Sequence, residues 1–141
     1  MTNPLYKTQV NITGGREGKV QSVDGKLELS LTPPKELGGP ANGTGTNPEQ
    51  LFAAGYGACF ESAIRFIARE KKIAVTQASV LSEVSLFKRE ESGFKVGITL
   101  NVSLPELDKE TATAIVNEAH LKICPYSHAT RGNIEVVLNV V

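Results

Sequence analysis

Asn47-Pro48-Glu49-Gln50-Leu51-Phe52-Ala53-Ala54-Gly55-Tyr56-Gly57-Ala58-Cys59-Phe60-Glu61 is the stretch on which the fold turns. It opens like a helix. Asn47 can cap, Pro48 suits the first helical position because its missing N–H is not needed there, and Gln50 stands three residues after the cap. The pattern continues to about Lys71. From Leu51 to Ile67 it is apolar on nearly every face, which predicts a helix buried all round. Gly55, Gly57 and Ala58 lower helix propensity, and their expected value is close approach by another backbone.

Working outward, Tyr6, Thr8, Val10 and Ile12 alternate with Lys7, Gln9 and Asn11, a strand pattern that Gly14-Gly15-Arg16-Glu17-Gly18 breaks. Residues 19–23 and 26–31 flank Asp24-Gly25, a tight-hairpin signal in which both turn residues take positive φ. A Pro- and Gly-rich loop follows over 33–46, about as long as structureless loops run in compact domains, and such loops are often functional. On the C-terminal side, 75–88 and 94–104 alternate around Glu90-Glu91-Ser92-Gly93 and read as a second hairpin. Asp108 can cap a second helix to about Ile123, where Pro125 ends it. The last strand is 134–141. The order is βββ-α-ββ-α-β, an α+β single domain over 1–141 with antiparallel sheets around a buried central helix. A chain of 141 residues has difficulty covering such a helix alone, and an intertwined dimer would cover it.

Composition narrows the function. Lys and Arg total 15, as do Asp and Glu, so no excess charge favours nucleic acid or an anionic membrane. The first twenty residues have no signal-peptide pattern, and the apolar stretch 50–60 between Glu49 and Glu61 is too short to span a bilayer. The expected location is the cytoplasm. There, two cysteines read as metal-binding, catalytic or inert rather than as a structural disulfide.

Cys59 in a buried helix is by itself an ordinary small core residue. Cys124, at a helix end before Pro125, looks less core-like. A cysteine peroxidase would need a thiolate beside a cation, a second thiol to capture the sulfenic acid, and a pocket that admits peroxide. Arg16 in its glycine turn is a candidate cation or a solvated loop residue. Glu49 either complements the helix dipole or holds an arginine through a bidentate pair. His120, Cys124 and His128, spaced four and four, with Cys59 as a fourth ligand, leave a zinc-type or non-enzymatic thiol reading open. Against that reading, Pro125 should end the helix before His128.

Thr46-Asn47-Pro48-Glu49-Gln50-Leu51-Phe52-Ala53-Ala54-Gly55-Tyr56-Gly57-Ala58-Cys59-Phe60 closely resembles the first cysteine motif of the organic hydroperoxide resistance proteins of the Ohr/OsmC superfamily. Cys124-Pro125-Tyr126-Ser127-His128-Ala129-Thr130-Arg131-Gly132-Asn133 resembles the second. Gly14-Gly15-Arg16-Glu17-Gly18 resembles the arginine turn, and Pro34-Lys35-Glu36-Leu37-Gly38-Gly39 the loop before the helix. The contexts of Tyr56 and Tyr126 look like the hydroperoxide-resistance branch rather than the osmotically induced one. The resemblance implies an intertwined homodimer with active sites at the subunit interface. It implies Cys59 as peroxidatic cysteine, Cys124 as resolving cysteine, Arg16 stabilising the thiolate and Glu49 orienting Arg16. It further implies alkyl and lipid hydroperoxides as substrates, dihydrolipoyl groups on lipoylated proteins or another dithiol as reductant, and no haem, flavin or metal. Gly57 departs from an expected alanine, and Glu61 places an acid two residues after the thiol, where it should point elsewhere.

Glu49 and Cys59 are ten residues apart, about 15 Å along a straight helix. One guanidinium could not serve both on the same unbroken helix. Either the helix breaks near Gly55 or Gly57, or the two residues at one site come from different subunits.

Overall fold

The computed structural model describes residues 2–141, which form two compact units, one reaching as far as Leu51 and one of Phe52–Val141. In the first, β1 (Val10–Thr13), β2 (Lys19–Ser22) and β3 (Glu28–Ser30) make an antiparallel meander. The strand expected from Tyr6 starts later, at Val10. The hairpin after β2 is longer than the two-residue turn expected, because Ser22 N–H closes it on the Leu27 carbonyl. Only Gly25 takes positive φ, at 74°, while the Asp24 carboxylate accepts from Ser22 Oγ and Lys26 N–H. A side-chain turn has replaced the backbone one. Between β1 and β2, residues Gly15–Glu17 form one 3-10 turn, and a Cβ on Gly18 would lie 1.7 Å from the Thr13 carbonyl oxygen, so no other residue fits there. The loop expected over 33–46 is not structureless. Lys35–Leu37 form a 3-10 turn, and Leu31 and Thr46 bridge its ends.

Helix α1 (Pro48–Glu70) starts as expected, with Asn47 Oδ1 accepting from Gln50 N–H at 2.8 Å. It is continuous, so a break at Gly55 or Gly57 is excluded. Beyond it, β4 (Ser79–Lys88) and β5 (Phe94–Ser103) form the second hairpin. The expected strand from 75 loses its first residues because the Glu106 carboxylate takes the N–H groups of Thr76 and Gln77. Strand β6 (Val136–Val140) runs parallel to β5. Two helices precede it and provide the crossover that a parallel neighbour requires. They are α2 (Lys109–Glu118), capped by Asp108 as expected, and α3 (Pro125–Thr130).

The core of the second unit gathers Tyr56, Phe60, Ile64 and Ile67 of α1 with Ile98, Leu100 and Val102 of β5 and Ala112, Ile115 and Val116 of α2. Phe60 and Ile64 have no exposed surface, and burying each contributes about 2 kcal/mol. The expectation of a helix buried all round needs correction. Ala54, Ala58, Ser62 and Phe66, each four residues from the last, form an exposed stripe along α1. A sheet and one helix cover part of a cylinder, not its whole circumference. The 23-residue α1 also has the length and hydropathy, 1.2, of a membrane span, contrary to the expectation that no segment would. Its Tyr56, Phe60 and Ile64 are nonetheless packed as core residues.

Candidate active site

Cys59 lies three turns into α1, partly exposed, and Cys124 is fully buried beside it. Their sulfurs are 3.8 Å apart although 65 residues separate them in sequence, and both are free thiols. Cys124 is the more core-like of the two, the reverse of the sequence expectation.

The backbone around Cys124 explains its position. After α2 the chain widens into a π turn, Ala119–Ile123, in which Cys124 N–H reaches back five residues to the Ala119 carbonyl at 2.9 Å. Such wide turns recur at functional sites. Pro125 then begins α3 rather than ending structure, because proline at the first helical position lacks only an N–H the helix does not use. Cys124 Sγ caps that turn, accepting from Ser127 N–H at 3.5 Å. His128, expected in a loop, is an exposed residue of α3.

Burial pushes the Cys59 thiol above its ordinary pKa. The Tyr126 N–H opposes this in part, and the neighbouring Cys124 reinforces it. Glu61 pairs with Arg65 at 2.6 Å and is not among the groups acting on the sulfur, as its position predicted. Tyr126, whose N–H meets the thiol, belongs to an aromatic group with Tyr56 and Phe52. Tyr56 and Tyr126 have centroids 5.6 Å apart, and Phe52 packs edge-on to Tyr56 at 5.9 Å.

Gly55 and Gly57 are used inside this chain. A Cβ on Gly55 would lie 3.0 Å from the Tyr126 hydroxyl, and one on Gly57 would lie 3.4 Å from Ser82 Cβ. Of the three small residues expected to admit another helix, only Ala58 faces outward.

Arg16 and Glu49 form the bidentate pair the sequence suggested. Arg16 Nη1 donates to Oε2 at 2.8 Å and Nη2 to Oε1 at 2.6 Å. The bonded guanidinium lowers the Glu49 pKa, and the carboxylate raises that of Arg16. Both residues are therefore charged at neutral pH. The Arg16 side chain is 40% exposed and Glu49 18%.

The structure thus brings together Cys59 with Cys124, and Arg16 with Glu49. His120 does not turn to the sulfurs as a ligand. Its Nδ1 lies 2.8 Å from Ser127 Oγ, and burial, followed by the charge of Arg131, holds its pKa below the usual histidine value. Among the described residues no three His, Cys, Asp or Glu side chains are grouped so as to hold a metal ion. Sequence reasoning missed Ser127 and the hydroxyl of Tyr56. The available signal was Cys-Pro-x-Ser, which also reads as a cap, a first helical position and an N3 residue.

Residues 41–139 match the sequence profile of the OsmC-like protein family. The organic hydroperoxide resistance protein-like 2 of Staphylococcus epidermidis is 46% identical over 141 residues, which cover 99% of this chain and 98% of its own. A crystal structure of an organic hydroperoxide resistance protein from Legionella pneumophila is similar at 51% identity and a TM-score of 0.92, over 98% of each chain. One from Vibrio cholerae, a putative organic hydroperoxide resistance protein with captopril bound in one of the active sites, is similar at 44% identity and a TM-score of 0.91, over 98% of this chain and 93% of its own.

Proposed function

The chain belongs to the OsmC-like family, in its organic hydroperoxide resistance branch, and on that footing we propose that it is a cysteine-based peroxidase that reduces alkyl and lipid hydroperoxides to alcohols in oxidative-stress defence. The observation that carries this reading is the pair of free thiols 3.8 Å apart. Cys59 thiolate attacks the distal peroxide oxygen. The O–O bond breaks, the alkoxide takes a proton and leaves as alcohol, and Cys59 becomes a sulfenic acid. Cys124 then attacks the Cys59 sulfur, its proton leaves with the hydroxyl as water, and a disulfide forms. A dithiol, in this proposal a dihydrolipoyl group on a lipoylated protein, reopens it by exchange. No haem, flavin or metal takes part. Phe52 and the exposed Tyr126, with ring centroids 6.5 Å apart, suit an organic substrate better than hydrogen peroxide. We place the enzyme in the cytoplasm, where reduced dithiols are maintained.

Burial works against a Cys59 thiolate, and a cation would counter it. Arg16 is the candidate, held by Glu49. On continuous α1, Glu49 and Cys59 are about 15 Å apart, so one chain's pair does not serve its own thiol. The reading therefore uses a homodimer in which Arg16 of the partner subunit completes the site. The stripe from Ala54 to Phe66 on α1 supports this. So does the first unit, whose described apolar residues include only Val20 and Leu31 as buried ones, too few to hold it.

The test is turnover of cumene hydroperoxide with dihydrolipoamide. Wild type is expected to turn over repeatedly and Cys59→Ser not at all. Wild-type rates in Cys59→Ser would overturn the proposal.

A further inference from the structure

Tyr56 is fully buried, and its hydroxyl has two partners, Ser127 Oγ at 2.9 Å and Thr130 Oγ1 at 3.1 Å. Ser127 Oγ also meets His120 Nδ1 at 2.8 Å, and Thr130 Oγ1 donates to the Ser127 carbonyl at 3.2 Å. The protons have one consistent arrangement. A carbonyl only accepts, so the single hydroxyl proton of Thr130 goes there. Thr130 then accepts from Tyr56, Tyr56 from Ser127, and Ser127 from His120, whose Nδ1 must carry the proton. Each of the three hydroxyls both donates and accepts, the condition under which a buried polar network rigidifies rather than weakens a core.

The network joins the two thiols. Tyr56 stands three residues before Cys59, one turn along the same helix. Ser127 is tied by its hydroxyl to Tyr56 and by its N–H to Cys124 Sγ. His120 rides on the π turn that delivers Cys124. Of these contacts the two from the Tyr56 hydroxyl, to Ser127 and Thr130, fix α3 against α1, and the bond from Ser127 to His120 ties α3 to the π turn.

We propose that the Tyr56–Ser127 hydroxyl bond is a positioning lock for disulfide closure. It keeps Cys124 within reach of oxidised Cys59, and it rests on the peroxidase reading above. Tyr56, Ser127 and His120 touch neither the substrate nor the reacting sulfurs through their side chains, so they are positioning residues. Without the Tyr56 hydroxyl, Ser127 and Thr130 lose a buried partner, and α3 shifts to satisfy them. A resolving thiol displaced by even about 1 Å attacks far less often. The tyrosine hydroxyl is not among the groups that act on the Cys59 thiol, so the first chemical step is left alone.

The experiment is a single-turnover comparison of wild type and Tyr56→Phe with cumene hydroperoxide. It follows Cys59 oxidation and disulfide closure as separate phases and measures Cys59 sulfinic acid by mass. Tyr56→Phe should oxidise Cys59 within about twofold of wild type, close the disulfide about tenfold more slowly, and accumulate more sulfinic acid per turnover. A purely structural tyrosine would lower the melting temperature and leave the ratio of the two phases unchanged, and that result overturns the lock. Should Tyr56→Phe not fold, Ser127→Ala keeps the N–H to Cys124 and removes the hydroxyl, with the same expectation and the same overturning result. If wild-type Cys59 does not react with the peroxide, the peroxidase reading fails and the lock with it. If it reacts and closure is unchanged in the variants, the lock alone fails.

Discussion

The two thiols and the guanidinium–carboxylate pair are built in opposite ways. Cys59 and Cys124 belong to the second unit, where a shared core of α1, α2 and β5 and a chain of buried hydroxyls hold them 3.8 Å apart. Arg16 and Glu49 belong to the first unit, where the arginine is 40% exposed and buried apolar residues are few. One pair is preassembled by its own packing. The other is assembled by charge, between the turn that follows β1 and the first turn of α1. In the proposed mechanism, resolution of the sulfenic acid is completed within one chain, whereas activation of the thiol calls on a second. Burial raises the Cys59 pKa, and among the described residues no cation is one of the groups that act on it.

Removing each side should break the reaction at a different step. Cys124→Ser, which disables the resolving half, should allow one turnover and then lose nearly all activity as Cys59 over-oxidises. Equal multi-turnover rates in Cys124→Ser and wild type with the same dithiol would remove Cys124 from the mechanism.

Arg16→Ala, which disables the activating half, should slow Cys59 oxidation by roughly a hundredfold or more. The pH dependence sharpens this. Thiolate is the reactive form, so a raised pKa lowers reactivity at neutral pH and restores it as pH rises. In Arg16→Ala the oxidation rate should climb steeply from pH 7 to above the ordinary thiol range, while wild type is already near its plateau. A rate within twofold of wild type, measured by stopped flow at pH 7, would return Arg16 to a surface role.

How much of this was legible in the sequence follows from the same division. The start of α1 was plain from Asn47-Pro48, and the second hairpin from its alternation, because local chemistry sets both. The pairing of Arg16 with Glu49 could be anticipated because residue types with fixed bidentate geometry were available for it. The π turn, α3 and the Tyr56–Ser127 bond were not legible. Pro125 signals a helix end and a helix start with equal force, and only tertiary packing chooses between them. The same holds for Gly55 and Gly57. Their smallness was visible, but its use, against Tyr126 and Ser82 of the same chain, was not.

The smallest expected effect concerns Gly57. A methyl there would make ordinary contact with Ser82 Cβ at 3.4 Å, and alanine favours the helix over glycine. Gly57→Ala should raise stability by about 0.5–1 kcal/mol in thermal or urea melts. A loss of stability would mean that the thiol region is packed more tightly than these contacts indicate.

The division between the two halves is tested most directly by complementation. Arg16→Ala and Cys59→Ser chains, carrying different tags, are coexpressed, and the mixed dimers are isolated. If each site takes its thiols from one chain and its guanidinium from the other, a mixed dimer holds one complete site and shows about half of wild-type peroxidase activity, although each parent is nearly inactive. If a single chain supplies all four residues, every site in the mixed dimer is defective, and activity no higher than that of the parents would contradict the account.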